Sequence, residues 1–472
     1  MAVGERTVYD VERGLESTVS GNVILDQNDQ RADEPAGLPL VDSTPRRTHP
    51  SGSPRHNHAL AKPSRRERRA LKKQKRRERS TVIGRHPKST VFLVLLVLLT
   101  PVWLSLGSAA VNPALGTTVG GRVAEWVREH GGGRLVTWTE NVYYTWNAPP
   151  KGGRPAPGAI PKPTPSSTTV PVPSGPAHLP SPRAIAPFVS TPTAGEGQWH
   201  PIGRTVDGVP TMYAAFLRPN AVYTSLVTGV AWMDTKLLST TLYPGSAIPG
   251  TGQNFGNAAP LQGTALNSLA AAFNSGFRMQ DAQGGFYLNG VAASGYPLVV
   301  GKASLVIDKN GNVDIGSWGT EVSMTPSVVA VRQNLSLIVD NGAPVLGLPI
   351  NDNIKWGATL GGGVRVWRSG LGVTADGALV YVGGSGLSIV DLANVLTRAG
   401  AVRAMELDIN TDWVNFSSWA LQTGVPATAA SGTLLTNDQA TSPSRYFQVL
   451  ARDFITMSVR PTATPPAHTH SA

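Results

Sequence analysis

The sequence predicts an α+β domain on a mixed, largely antiparallel sheet with few helices, preceded by a disordered tail, one transmembrane helix and a proline-rich linker. Three observations carry this. Short β-rich runs over 196–460 alternate with Gly, Asn and Asp turns. One helix is well marked, over 389–399, with a cap, a buried stripe and a stop. Basic, apolar and proline residues are segregated into blocks along the chain rather than mixed.

The first block, 1–88, reads as a disordered basic tail. Residues 1–60 are polar without sustained periodicity. From Lys62 to Lys88 there are thirteen Lys or Arg against Glu67 and Glu78. From Glu196 to Arg460 there are fifteen basic residues against sixteen acidic, so the domain is near neutral and the overall charge of +11 belongs to the tail. A basic balance confined to a tail does not make a nucleic-acid-binding domain. No aromatic residue interleaves "SRRERRALKKQKRRERS" for base stacking. The run fits a topology signal or a contact with anionic lipid, and no nucleic-acid partner is expected.

No charged residue occurs from Ser89 to Gly121. The apolar heart Val91–Val111 has 21 residues; at ~1.5 Å each these reach the ~30 Å of a bilayer core. The block 89–111 is therefore expected to span a membrane once. The basic run before it, and only Arg122, Arg128 and Arg134 after it, put the N-terminus in the cytoplasm and the C-terminal domain outside. A buried core helix and a late signal sequence cut after Ala110 are the alternatives.

Residues 112–147 read as a juxtamembrane stalk. Val123, Trp126, Val127 and His130 share a helical face, and Gly131–Gly133 would end it. Residues 148–195 are rich in Pro, Ser and Thr and predict an extended linker holding the domain away from the bilayer. The domain takes 196–460, and 461–472 is a second disordered tail. Within the domain, Asn310–Gly311, Asn341–Gly342 and Asp376–Gly377 mark hairpin turns. Ser388 and Asp391 form a capping-box pattern; Ile389, Leu392, Val395, Leu396 and Ala399 make the stripe, and Gly400 stops it.

The chain has no cysteine, so disulfides and thiolate metal sites are excluded. Only His200 of the nine histidines falls in the domain, and no Gly-x-Ser-x-Gly, His-Glu-x-x-His or Walker pattern is present, which argues against histidine-based catalysis. The informative strand is Val402–Ile409. Alternation sends Met405, Leu407 and Ile409 one way and Glu406, Asp408 and Asn410 the other. Two carboxylates and an amide at a strand end are costly unless they meet water, charge or ligand. A solvated sheet face is the plain alternative. "DINTDW" also has half the alternation of a calcium loop, but Trp413 stands where Gly is needed and Trp419 where Glu is needed. No metal ligand or cofactor is expected; a divalent cation near Asp408 is the alternative. In "AAFNSGFRM", Asn274 and Gly276 offer an amide and open backbone. In "VWRSGLGVT", Arg368 beside Gly370 and Gly372 offers a fork for phosphate.

In this order, "FNSGF" at 273–277, "RSGLG" at 368–372, the helix at 389–399 and "LDINTDW" at 407–413 resemble the phosphodiester glycosidase family, the domain of the lysosomal uncovering enzyme. That family shows Asn-Gly-Gly-Phe, Arg-x-x-x-Gly before a hairpin, a helix, and Asp-Gly-Gly-Gly-Ser at a strand end. "WRSGLGVTADGALVYVGG", "RAMELDINTDWVNF" and the juxtamembrane "GRVAEWVREHGGG" resemble its membrane-anchored actinobacterial branch. The resemblance covers roughly 195–459. It implies hydrolysis of a sugar joined through its anomeric carbon to a phosphodiester. Asn274, Arg368 and Asp408 match motif positions, whereas Ile409, Asn410 and Thr411 replace the family's glycines. The expected roles are Asp408 as the catalytic carboxylate, Glu406 as its catalytic partner, Arg368 on phosphate, and Asn274, Gly276 and Asn410 against the sugar. The expected partners are a sugar-phosphate polymer of the cell envelope and the lipid bilayer. A catalytically inactive glycan-binding or scaffold protein on the same fold is the alternative.

Overall fold

The structure, a computed structural model, describes residues 64–78, 87–116, 118–162, 177–250, 252–348, 355–357 and 365–461. Of the tails predicted at 1–88 and 461–472, residues 1–63, 79–86 and 462–472 lie outside them. The chain divides into two compact units, Met1–Arg85 and His86–Ala472. In the first, the basic run, expected from sequence to be part of a disordered tail, instead forms a helix, Arg65–Glu78, with its start capped. Ser64 N donates to Glu67 at 2.8 Å and Glu67 N to Ser64 Oγ at 3.3 Å, a reciprocal cap.

The second unit opens with the helix Pro87–Val111. Its apolar window Val91–Val111 has a mean hydropathy of 2.3, and its large side chains are mostly exposed, with Ala109 near the end buried. A short turn, Pro113–Leu115, leads to the helix Val119–Val127. Gly131 takes φ +85° and breaks that helix, as the glycine run predicts. The chain then re-enters a helix, Gly133–Trp146, through the aromatic segment.

The proline-rich stretch differs from the extended spacer that its composition predicts. Its described residues lie on the domain: Gly152 N donates to Val222 O at 2.7 Å, Ile185 N to Gly197 O at 2.9 Å, and Leu179 and Ile185 enter a core cluster. Proline sets such a stretch in extended form, but interspersed apolar residues give it area to bury, and burial at about 25 cal/mol per Å² opposes solvation.

Three antiparallel sheets build the domain. The largest runs His200–Val206, Val209–Leu217, Thr228–Met233, Leu379–Leu387, Val366–Thr374, Ala401–Glu406, Leu337–Asp340 and Ala343–Pro344 across its width. The second runs Val291–Ala292, Phe286–Leu288, Val328–Asn334, Ala303–Asp308 and Val313–Ser317. The third runs Thr433–Leu434, Phe416–Ser418, Leu269–Asn274, Phe454–Val459 and Leu238–Tyr243. One face of the large sheet (Met212, Leu371, Met405) meets both smaller sheets (Leu305, Phe286; Phe273, Ile455) in one core. Its other face (Val230, Val380, Ala404) packs on Leu392 and Leu396 of the helix Ile389–Arg398. The fold is α+β, as expected.

The local signals read from sequence are in place. Asn341 and Gly342 have φ +49° and +73°, the paired left-handed values of a tight hairpin turn. Ser388 Oγ accepts from Asp391 N at 3.1 Å, and Asp391 Oδ2 accepts from Ser388 N at 3.0 Å and from Arg365 at 2.6 Å. Ser388→Ala is expected to destabilise the domain by about 1 kcal/mol in chemical denaturation. The glycines after Arg368 have a different use from the open approach that their sequence predicts. A Cβ on Gly370 would lie 2.9 Å from Leu396 Cδ1 and 3.1 Å from Met405 O. On Gly372 it would lie 2.7 Å from Ala401 Cβ. These glycines let the helix and the neighbouring strand close on Val366–Thr374. Gly370→Ala is expected to cost about 1–3 kcal/mol by overpacking, read as a lower denaturation midpoint with an unchanged slope.

Candidate functional site

The strand Ala401–Glu406 delivers two carboxylates to the sheet interior. Met405 and Leu407 enter the main core, and Glu406 and Asp408 are themselves 2% and 3% exposed. The polar face of this strand is therefore buried rather than solvated, and each carboxylate has a cation. Arg368, on the adjacent strand, places Nη1 2.5 Å from Glu406 Oε1 and donates from Nε to Leu387 O at 2.9 Å. Burial pushes Glu406 up to about 7, against the pull of Arg368. Arg368 is thus committed to Glu406.

Asp408 sits where the strand gives way to a loop. Its Oδ1 accepts from Ile409 N at 2.7 Å and Asn410 N at 2.9 Å. Its Oδ2 lies 3.9 Å from Arg452 Nη1. Burial pushes Asp408 up to about 6; Arg452 and the two backbone N–H groups oppose the rise, and the Glu125 carboxylate adds to it. Asn410 Oδ1 accepts from Asp412 N at 2.9 Å. The alternating Asp408 and Asn410 oxygens, which resemble half a calcium loop, here accept from backbone N–H groups. Among the described residues no three His, Asp or Glu side chains gather as a metal site.

Asn274 ends the strand Leu269–Asn274 and joins the network. It donates to Ser369 Oγ at 3.0 Å, and its Oδ1 accepts from Tyr381 OH at 3.0 Å and Asn415 N at 3.2 Å. Ser369 Oγ lies 3.3 Å from Asp408 N and 3.3 Å from Asp408 O. Asn274 therefore reaches the Asp408 backbone through one hydroxyl, with one of its two N–H groups spent on it. Gly276 lies over a buried guanidinium: a Cβ there would be 3.2 Å from Arg332 Cζ.

The sequence reading missed three residues. On the far side of Arg452 from Asp408 a cleft of about 370 Å³ opens, walled by Glu125, Arg278, Tyr296, Trp413 and Arg452; Asp408 itself is buried behind that wall. Arg452 precedes the strand Phe454–Val459 and has its Cζ 4.7 Å from the Trp413 ring centroid. Arg278 follows the "NSGF" run. Glu125 comes from the helix Val119–Val127, so the segment expected to be a stalk forms one wall of the cleft. Ala451 N donates to Ala114 O at 3.1 Å, and a Cβ on Gly121 would lie 2.0 Å from Asp412 Oδ2. A helix glycine is what lets this segment close on the 408–413 loop. Glu125 stands off the apolar stripe of its helix, which was the one signal available.

The chain was compared with known proteins. No curated protein matches it. Among solved structures, it is similar to the zebrafish N-acetylglucosamine-1-phosphodiester alpha-N-acetylglucosaminidase catalytic domain auto-inhibited by pro-peptide, at 12% identity and TM-score 0.33, over 56% of this chain and 88% of that one. A hypothetical protein from Synechocystis gives 15% identity and TM-score 0.28, over 55% and 64%. A putative exported protein from Burkholderia pseudomallei gives 13% identity and TM-score 0.25, over 50% and 75%. Residues 267–408 match the family model for phosphodiester glycosidase, a span that holds Asn274, Gly276, Arg368, Glu406 and Asp408. Over residues 267–408, then, the chain is similar to phosphodiester glycosidase domains.

Proposed function

We propose that this protein is a membrane-anchored glycosidase of the actinobacterial type that hydrolyses a glycosyl-phosphodiester bond in glycans of the cell envelope. The observation that carries the reading is Asp408: a buried carboxylate at a strand end, fixed by two backbone N–H groups, with its second oxygen turned to Arg452 at 3.9 Å, the arginine that walls an open cleft. A carboxylate raised to about 6 is an effective base near neutral pH. A water oxygen bonds to the anomeric carbon as the bond from that carbon to the phosphate oxygen breaks. The phosphate leaves with the electron pair as a monoester, and Asp408 takes the water's proton. Phosphate is already a good leaving group, so a cation that steadies its charge does more than a strong acid. Glu406, as the catalytic partner, is held by Arg368 and keeps the strand end that carries Asp408 in place.

The anchor in this reading is the exposed apolar helix Pro87–Val111, with the basic run on its cytoplasmic side and the lipid surface and envelope polymer as partners. A divalent cation beside Asp408 would make turnover sensitive to EDTA.

One observation favours the second reading, a glycan-binding scaffold without catalysis. Ile409, Asn410 and Thr411 put side chains where the resembled motif has glycines, and Asp408 Oδ1 is taken up by the backbone there. The deciding experiment incubates the detergent-solubilised full chain with a sugar 1-phosphodiester. Release of free reducing sugar together with a phosphomonoester supports hydrolysis; saturable binding with neither product supports the scaffold.

A further inference from the structure

The cleft contains an anion site that the reaction scheme leaves unused. Glu125 Oε1 lies 3.3 Å from Arg452 Nη2 and 3.6 Å from Arg278 Nη1. Its other oxygen lies 3.3 Å from Arg128 Nη1. Burial disfavours the charged form of Glu125, yet Arg452, Arg278 and Arg128 together hold its carboxyl below the usual range. One anionic oxygen shared by two guanidinium groups is the arrangement these forks offer to phosphate. A second observation points the same way. Arg452 Nη1 is buried, has no hydrogen-bond partner, and is aimed at Asp408 Oδ2. Arg278 is braced from behind, its Nε donating to Asp281 Oδ2 at 2.6 Å, which leaves Nη1 toward Glu125.

We propose that Arg278 and Arg452 form the subsite for the phosphodiester anion and that Glu125 occupies it, so that substrate must displace this carboxylate. The identity of the anion rests on the hydrolase reading above. The geometry suits it. In a glycosyl phosphate the anomeric carbon is one bond from a phosphate oxygen, and Arg452 touches both the anion position and the carboxylate that would activate water. The cleft of about 370 Å³ falls within the range of small-ligand sites, about 300–1,000 Å³. Arg368, the phosphate ligand suggested by sequence, is replaced in that role by two arginines outside its strand. Because Glu125 belongs to the segment that follows the apolar helix, occupancy of the site is tied to where the helix Val119–Val127 sits.

The test uses the full chain in detergent and inorganic phosphate as the probe, followed by broadening of the phosphorus resonance. Glu125→Gln removes the charge and keeps the shape; it is expected to bind phosphate at least about tenfold tighter than the parent, since Arg278 and Arg452 lose the carboxylate they share. Adding Arg452→Gln is expected to abolish that gain. Glu125→Asp, which keeps the charge on a shorter arm, is expected to fall between parent and Glu125→Gln, and serves if the glutamine variant does not fold. Phosphate affinity equal in parent, Glu125→Gln and Glu125→Asp would overturn the subsite, as would a gain that survives Arg452→Gln. Turnover of a sugar phosphodiester, measured on the same samples, separates the two claims. Tighter phosphate binding without turnover keeps the subsite and removes the hydrolase; turnover with unchanged phosphate affinity does the reverse.

Discussion

Asp408→Asn is expected to lower kcat/KM for a glycosyl phosphodiester by about 10²–10⁴-fold, the usual contribution of a positioned proton acceptor, while leaving the fold intact. The fold should survive because an amide oxygen can still accept from Ile409 N and Asn410 N, the two bonds that Oδ1 makes now. What is lost is the charge beside Arg452. The pH dependence follows from the same group. Asp408 must be ionised to take a proton, and its pKa is raised to about 6, so activity should rise with pH through a limb near that value. Arg452, Arg278 and Arg445 face it as cations, Glu125 as a carboxylate, Glu406 as a carboxyl raised to about 7 and so largely protonated near that limb, and Tyr381 as a neutral phenol. Removing a cation favours the protonated form, so Arg452→Gln should move the limb to higher pH. Removing a carboxylate has the opposite sign, so Glu125→Gln should move it lower. The measurement is kcat/KM against pH for the parent and these two variants. A limb that stays fixed in both would show that Asp408 is not the titrating group.

The elements legible in the sequence share one property: their signal is local. The turn at Asn341–Gly342 needs two left-handed residues side by side, and the sequence supplies them. The cap at Ser388 needs an acid three residues later, and Asp391 is there. Asp408 and Glu406 share a face because a strand alternates. Everything missed depends on residues distant in sequence. Arg368 beside Gly370 looks open until the helix Ile389–Arg398 is packed on the glycine and Glu406 is paired with the arginine. Glu125 and Arg452 lie 327 positions apart, and neither sits in a motif. No periodicity links them; only the closure of Ala114 on Ala451 and of Gly121 on Asp412 does. The proline-rich stretch shows the same limit from the other side, because composition gives its backbone preference but not the surface waiting for Leu179 and Ile185. The site is thus half legible: the carboxylates from alternation, the cations from tertiary structure.

Asp453→Ala is expected to have the largest effect on stability, about 3–5 kcal/mol, because it strands a guanidinium in the core. Arg332 and Asp453 are both fully buried at the side chain and 2.6 Å apart. The arginine also donates from Nη1 to Gln333 O at 2.6 Å and from Nη2 to Phe277 O. It therefore ties the strand Val328–Asn334 to the start of Phe454–Val459 and to the loop after Asn274, across two sheets. Replacing both partners by apolar residues, as in Arg332→Met with Asp453→Leu, removes the stranded charge. It still leaves the carbonyls of Gln333 and Phe277 without this donor, at about 1–3 kcal/mol each. The double variant should thus recover only part of the loss, and the two single variants should be strongly non-additive. The effect reaches the site, since Gly276 rests on the Arg332 guanidinium and Asp453 adjoins Arg452. Chemical denaturation of the two singles and the double closes the cycle. A loss below about 1 kcal/mol for Asp453→Ala, in the range of exposed pairs, would mean that water reaches the guanidinium and that this pair does not hold the two sheets together.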